Sequence, residues 1–254
     1  MRKPKAYLEK AGGEWFDDFV YISRQALIER GYDIVAFDGS DMENTLLNKV
    51  IVPHEDIIIG SVEATVAFFN YCNIEVPKAI SYPESLKKYL GREIIETTFG
   101  ELKWDFPYFV KPSSQIKLFT GDVVSHEDHL TYLTISGAKP ETEIYKSTLI
   151  DFVSEYRCFI TNGEIRGFKH YLGDFEIFPN MFMVHEMIDT YQKSGEAPSA
   201  YTIDIGVTDD GLTLLVEVND MWAIGSYGVD SREYALLCAR RMKEIWRTNY
   251  KGND

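Results

Sequence analysis

Cysteine, basic charge and long apolar runs are all scarce in this sequence, and each shortage excludes a class of protein. Three cysteines occur in 254 residues, Cys72, Cys158 and Cys238, far apart and each in an apolar segment. That is too few for a disulfide framework; they read as reduced core thiols, and the expected compartment is the cytoplasm. The 26 Lys and Arg are outnumbered by 40 Asp and Glu, for a formal charge of −14. That balance opposes wrapping a nucleic-acid backbone, although a few local cations suffice for one phosphate ligand. Charge interrupts every apolar segment before membrane-spanning length, so no membrane partner is expected. The basic start Met1-Arg2-Lys3-Pro4-Lys5 is followed by no apolar stretch, and no signal peptide is read there.

Several motifs are missing as well. Neither GxGxxG nor GxxxxGK followed by Ser or Thr occurs, which removes the usual support for a Rossmann or P-loop nucleotide site. No GxSxG elbow exists. The histidines form no metal cluster: His126 and His129 fall in a predicted short helix with surface or capping roles, and His170 and His185 read as structural.

What is present is a readable order of elements. Phe16, Phe19, Val20, Ser23, Ala26 and Leu27 recur at helical spacing up to Gly31. Strands are predicted at residues 33–37 and 57–59, and a helix from Ser61. Such alternation suggests a small α/β domain with a parallel sheet. Further on, Tyr108 to Lys111 reads as a strand stopped by Pro112, and 148–153 as extended. Residues 156–160 and 164–171 form a hairpin about Asn162-Gly163. A helix follows at 182–191, then strands at 201–207 and 213–219 about Asp209-Asp210-Gly211, then a helix from about Ser231 to Trp246.

The last strand pair carries chemistry. Glu217 and Asn219, two residues apart, leave one face of a strand. A turn near residue 210 places Asp204 opposite Glu217. Oxygen-only ligands of this kind suit magnesium rather than zinc or iron. The plainer alternative is a pair of amphipathic strands with their polar side in water. Lys111, at a strand end, reads either as a phosphate contact or as a solvated lysine. Lys117 follows beside Leu118, Phe119 and Gly121, in a stretch suited to a hairpin over phosphates. The Asn162-Gly163 turn places Arg157 and Lys169 near each other, an arrangement that costs energy unless an anion is shared or Glu155 or Glu164 compensates.

Together these residues resemble the ATP-grasp superfamily, and within it the small clade described by two arginines and a lysine, found often in phage and bacterial proteins. The matching pieces are Phe109-Val110-Lys111-Pro112, Phe152 to Phe159, Phe168-Lys169, Tyr201 to Gly206 and Leu215 to Asp220, in the expected order. The resemblance implies an α/β (α+β) fold with a pre-ATP-grasp domain over residues 1–100 and an ATP-grasp domain over 101–254. The latter divides into a small nucleotide-clamping subdomain, 101–150, and a C-terminal antiparallel-sheet subdomain, 151–254, for metal and substrate.

The same resemblance implies roles. Lys111 reaches the α phosphate and Lys117 is the second phosphate lysine. Ile150, Asp151, Phe152 and Val153 form the hinge whose backbone binds adenine, with Glu155 or Asp151 near the ribose. Arg157 and Lys169 face the phosphates and the transferred phosphoryl group. Asp204, Glu217 and Asn219 hold magnesium, two ions being expected with ATP, and Gly225, Ser226 and Tyr227 lie where the acyl substrate binds. The implied activity is ATP-dependent ligation of a small-molecule, amino-acid or peptide carboxylate to an amine or thiol through an acyl phosphate, in a monomer or homodimer. A small-molecule kinase, or a non-catalytic Mg-ATP-binding interaction module, is the alternative.

Overall fold

A computed structural model describes residues 2–47, 51–103, 105–114 and 119–252. Lys117 therefore lies outside the described residues. The chain opens with β1 (Lys5–Ala11), the short β2 (Glu14–Trp15) and α1 (Asp18–Glu29), whose first turn is capped by Asp17. Then follow β3 (Asp33–Asp38), α2 (Met42–Leu47), β4 (Ile57–Ile59) and α3 (Val62–Tyr71). The hydroxyl of Ser61 accepts from the Ala64 amide and starts α3, as its N-cap position predicts.

Strand β1 is the centre of the first sheet, parallel to both β3 and β4, with β2 folded back antiparallel on its end. Its Ala6, Tyr7 and Leu8 are all fully buried. Burial on both faces explains why β1 shows no alternation and escapes a reading by periodicity.

The second sheet is antiparallel, in the order β5 (Ile94–Thr98), β8 (Glu143–Ser147), β6 (Tyr108–Pro112), β7 (Asp122–Val124). Helix α4 (Glu127–Ile135) covers it through Leu133, which shares a core with Tyr108, Val110 and Ile144. Strand β5 joins this sheet although it precedes residue 100.

The third sheet runs β10 (Glu164–Gly173), β9 (Ser154–Thr161), β11 (Ala200–Val207), β12 (Thr213–Asp220), antiparallel throughout. One face packs Cys158, Ile160, Ile203 and Val218 against α5 (Met181–Ser194). The other face carries Arg157, Asp204, Glu217 and Asn219 at one end. At the other, Phe159 and Ala200 join the core of the first sheet and α6 (Ser231–Asn249). This division of one face leaves polar side chains beneath the second sheet.

Candidate functional site

The site grows from strand register. Asp204 pairs with Arg157 on one side and with Glu217 on the other, so all three leave the same face. The Arg157 guanidinium grips Asp204 in a fork, Nε donating to Oδ1 at 2.7 Å and Nη2 to Oδ2 at 2.5 Å. Asn219 Nδ2 donates to Glu217 Oε1 at 2.9 Å and to Asp204 Oδ2 at 3.3 Å. Lys111 crosses from β6 and donates to the other oxygen of Glu217. A hydrogen-bonded row thus runs Lys111, Glu217, Asn219, Asp204, Arg157, a cation at each end and the neutral amide between the two carboxylates.

Lys111 is 7% exposed and Asp204 1%, so these are not solvated strand faces. The partner that compensates Arg157 is Asp204; Glu164 sits with Arg166 instead. Burial and the neighbouring Glu217 and Glu155 push the Asp204 carboxyl up to about 6 against the pull of Arg157. Burial alone would lower the Lys111 pKa, but Glu217 and Tyr82 outweigh it and hold the ammonium above its ordinary value. Burial raises Glu155 as well, and its carboxylate accepts from the Tyr171 hydroxyl at 2.5 Å.

Two donors on this face are left over: among the described residues neither the buried Arg157 Nη1 nor the Thr202 hydroxyl has a hydrogen-bond partner. Lys169 is the direct register partner of Arg157 on β10, is half-buried, and makes no ion pair among the described residues. An anion placed here satisfies cations that the fold itself leaves short.

Beside the charged row lies a cavity of about 260 Å³ between the second and third sheets. Phe109, Lys111 and Val123 form one wall, Glu155, Val216 and Glu217 the other. Residues 147–150 and Phe152 bridge the two walls at the back. Among the described residues no hydrogen bond engages the backbone of residues 149–152, whose amides and carbonyls are free to meet the edge of a flat heterocycle. Val153 differs: its N–H donates to Val207 and its carbonyl accepts from Asp174, so both groups are spent within the fold. Asp151 is exposed and does not line the cavity.

Arg92 gives no sequence signal, yet it anchors the cavity roof. Its guanidinium donates to the carbonyls of Leu90, Leu215 and Val216 and lies over the rings of Tyr82 and Phe152. Tyr82 and Tyr145 meet edge to face and flank the Lys111 ammonium.

After β12 the chain turns into residues 221–230. Ser226 is buried and Tyr227 half exposed at 49%, its backbone in the left-handed region at φ 49°. That conformation is costly for a residue with a Cβ. It lays the ring 4.1 Å from the Arg157 guanidinium, with Tyr171 on the same cation at 5.5 Å. Gly225 faces Phe19 of α1.

Asp204, Glu217 and Asn219 offer oxygen to a hard cation, and their mutual hydrogen bonds place them within reach of one ion. Among the described residues no group of three His, Cys, Asp or Glu forms a metal cluster. Two carboxylates and an amide side by side on one sheet face are donor types that fit a hard cation. Among the described residues no helix is long and apolar enough to cross a membrane.

Comparison with known proteins bears on the fold and the family. No curated protein sequence matches the chain. Among solved structures, D-alanine–D-alanine ligase from Bacillus anthracis complexed with ATP superposes with a TM-score of 0.57 at 15% identity, covering 97% of this chain and 99% of that one. L-amino acid ligase from Bacillus licheniformis gives 0.59 at 12% identity, covering 96% and 75%. The macrocyclase MdnC bound with precursor peptide MdnA, from Microcystis aeruginosa, gives 0.53 at 11% identity, covering 92% and 99%. At such identities the likeness is one of fold. Residues 89–237 match the family described as ATP-grasp domain, R2K clade family 2, and span the whole charged row and every cavity-lining residue except Tyr82. The chain belongs to that ATP-grasp family.

Proposed function

We propose that this protein is an ATP-dependent ligase that activates a carboxylate as an acyl phosphate and passes it to an amine. The observation that carries the reading is the Nη1 of Arg157, unpartnered among the described residues, with Lys169 beside it, in the same charged row as the cavity-lining Lys111 and Glu217. Adenine fits against residues 149–152, and the phosphates then extend toward Lys111, Arg157 and Lys169. The fold shared with ligases of amino acids and peptides supports the same assignment.

A free carboxylate is a poor electrophile because its charge repels nucleophiles and oxide does not leave. In the proposed first step its oxygen bonds to the γ phosphorus of ATP, and the bond to the bridging oxygen breaks to release ADP. The amine nitrogen then bonds to the acyl carbon, phosphate departs with the C–O electron pair, and the nitrogen gives up a proton. Lys111 holds a phosphate oxygen as a point charge, while Arg157 presents Nη1 to the transferred group, which gathers charge as it moves. Asp204, Glu217 and Asn219 would hold magnesium, which when bound would neutralise more of that charge. Tyr227, resting on Arg157, shields the site from water that would hydrolyse an acyl phosphate.

A screen of amino acids, peptides and amines for stimulated ADP release, with mass analysis of products, tests the reaction. Hydroxylamine should trap an acyl hydroxamate when carboxylate and ATP are supplied without amine. Phosphorylation of a hydroxyl acceptor, with no hydroxamate, would replace the ligase reading by a kinase one.

A further inference from the structure

We propose that the cleft between α1 and α6 is a second anion site, built for a compact polyphosphate-type ligand and separate from the nucleotide cavity. The cleft measures about 610 Å³ and shares no lining residue with that cavity. In a chain of charge −14 it gathers Arg30, Arg240, Lys243 and Arg247. The last three stand at i, i+3 and i+7 on α6, hence on one face, and Arg30 caps the end of α1 opposite them.

None of these four cations makes an ion pair among the described residues. The acid in the cleft, Glu244, is held through Oε2, which accepts from Ser199, another lining residue, at 2.7 Å and from Arg241 at 2.7 Å. The dipole of α6 favours Arg247 in its last turn but does not reach Arg240 two turns earlier. Tyr32 in the cleft wall is 6% exposed, and the Lys243 ammonium lies over its ring at 5.9 Å. Arg30 is steadied by one bond from Nη2 to the Arg232 carbonyl at 3.3 Å. Four clustered cations with no acid partner among the described residues suit an anion with several charged oxygens, such as a chain of two or three phosphates.

Calorimetric titration of the full chain with inorganic triphosphate, and separately with orthophosphate, at physiological salt tests the assignment. Triphosphate should bind wild-type protein more tightly than orthophosphate and should still bind Glu217→Ala protein at this cleft. Arg240→Gln with Lys243→Gln should weaken this binding by about tenfold or more, since each charge-assisted contact is among the stronger hydrogen bonds. Lys243→Glu, a change at an exposed position, should do the same and guards against misfolding of the double variant. No binding, binding unchanged in both cleft variants, or binding lost only in Glu217→Ala protein would overturn the proposal.

Discussion

Asp204 and Glu217 face each other across neighbouring strands, and each is claimed by a cation from a different direction. Arg157 reaches Asp204 from within the third sheet, whereas Lys111 reaches Glu217 from the second. Part of the bond between the two sheets is therefore made by groups assigned to nucleotide and metal, so ligand binding and the fit of the sheets are physically linked.

Glu217→Ala should abolish ATP turnover while leaving the circular dichroism spectrum intact. Losing a group that merely orients a metal ligand costs about 10–100-fold, so losing a ligand should cost at least about 100-fold. Retained wild-type ADP release would remove Glu217 from the metal set.

Lys169→Met separates chemistry from stability. Its ammonium makes no ion pair among the described residues, so the melting profile should stay within about 0.5 kcal/mol of wild type. Turnover should nevertheless fall by roughly tenfold or more if the lysine meets a transferred phosphoryl group. A fully active variant would confine Lys169 to the surface.

Asp220→Ala should act the opposite way. Asp220 is 1% exposed and held by Arg241 through Nε at 2.8 Å and Nη2 at 2.6 Å. The variant leaves Arg241 with Glu244 on Nη1 but strips Nε and Nη2 of their acceptor, and breaking a buried pair costs up to about 3–5 kcal/mol, to be read from denaturant unfolding. A loss below about 1 kcal/mol, the range of an exposed pair, would show that the bridge is not structural.

Gly206→Ala should weaken nucleotide binding. A Cβ there would lie 2.1 Å from Phe152 Cδ1, so the ring must move, and that ring lines the cavity. Overpacking of this kind costs about 1–3 kcal/mol. The KM for ATP should rise more than kcat falls; an unchanged KM would show that Phe152 does not contact the nucleotide.

Thiol reagents should find little to react with in the native protein at neutral pH. Cys158 and Cys238 are buried, and burial pushes the half-buried Cys72 up to about 12. Rapid labelling before unfolding would contradict this environment.

The third sheet was legible because local signals coincided with it. Asn162-Gly163 set a hairpin that does pair Lys169 with Arg157, and the turn near residue 210 does place Asp204 against Glu217. What the sequence could not reveal is which cation meets which carboxylate, because Lys111 arrives from another sheet 106 residues away in the chain. Strand β1 was missed since burial on both faces erases alternation, and β5 and β8 since partial exposure blurs it. Arg92 was missed for a different reason: its partners are backbone carbonyls, which carry no side-chain signature.

The joining of α6 to the first sheet has a consequence for biosynthesis. Trp246 is buried against Phe68 and donates its indole N–H to the carbonyl of Asp56 at 2.7 Å, so α6 finishes a core begun by Tyr7 and Leu8. On the ribosome, Tyr7 and Leu8 must wait for Trp246 to emerge before that core can close. A nascent chain halted before residue 231 leaves the seat of Trp246 uncovered, a surface of the kind that holdase chaperones recognise.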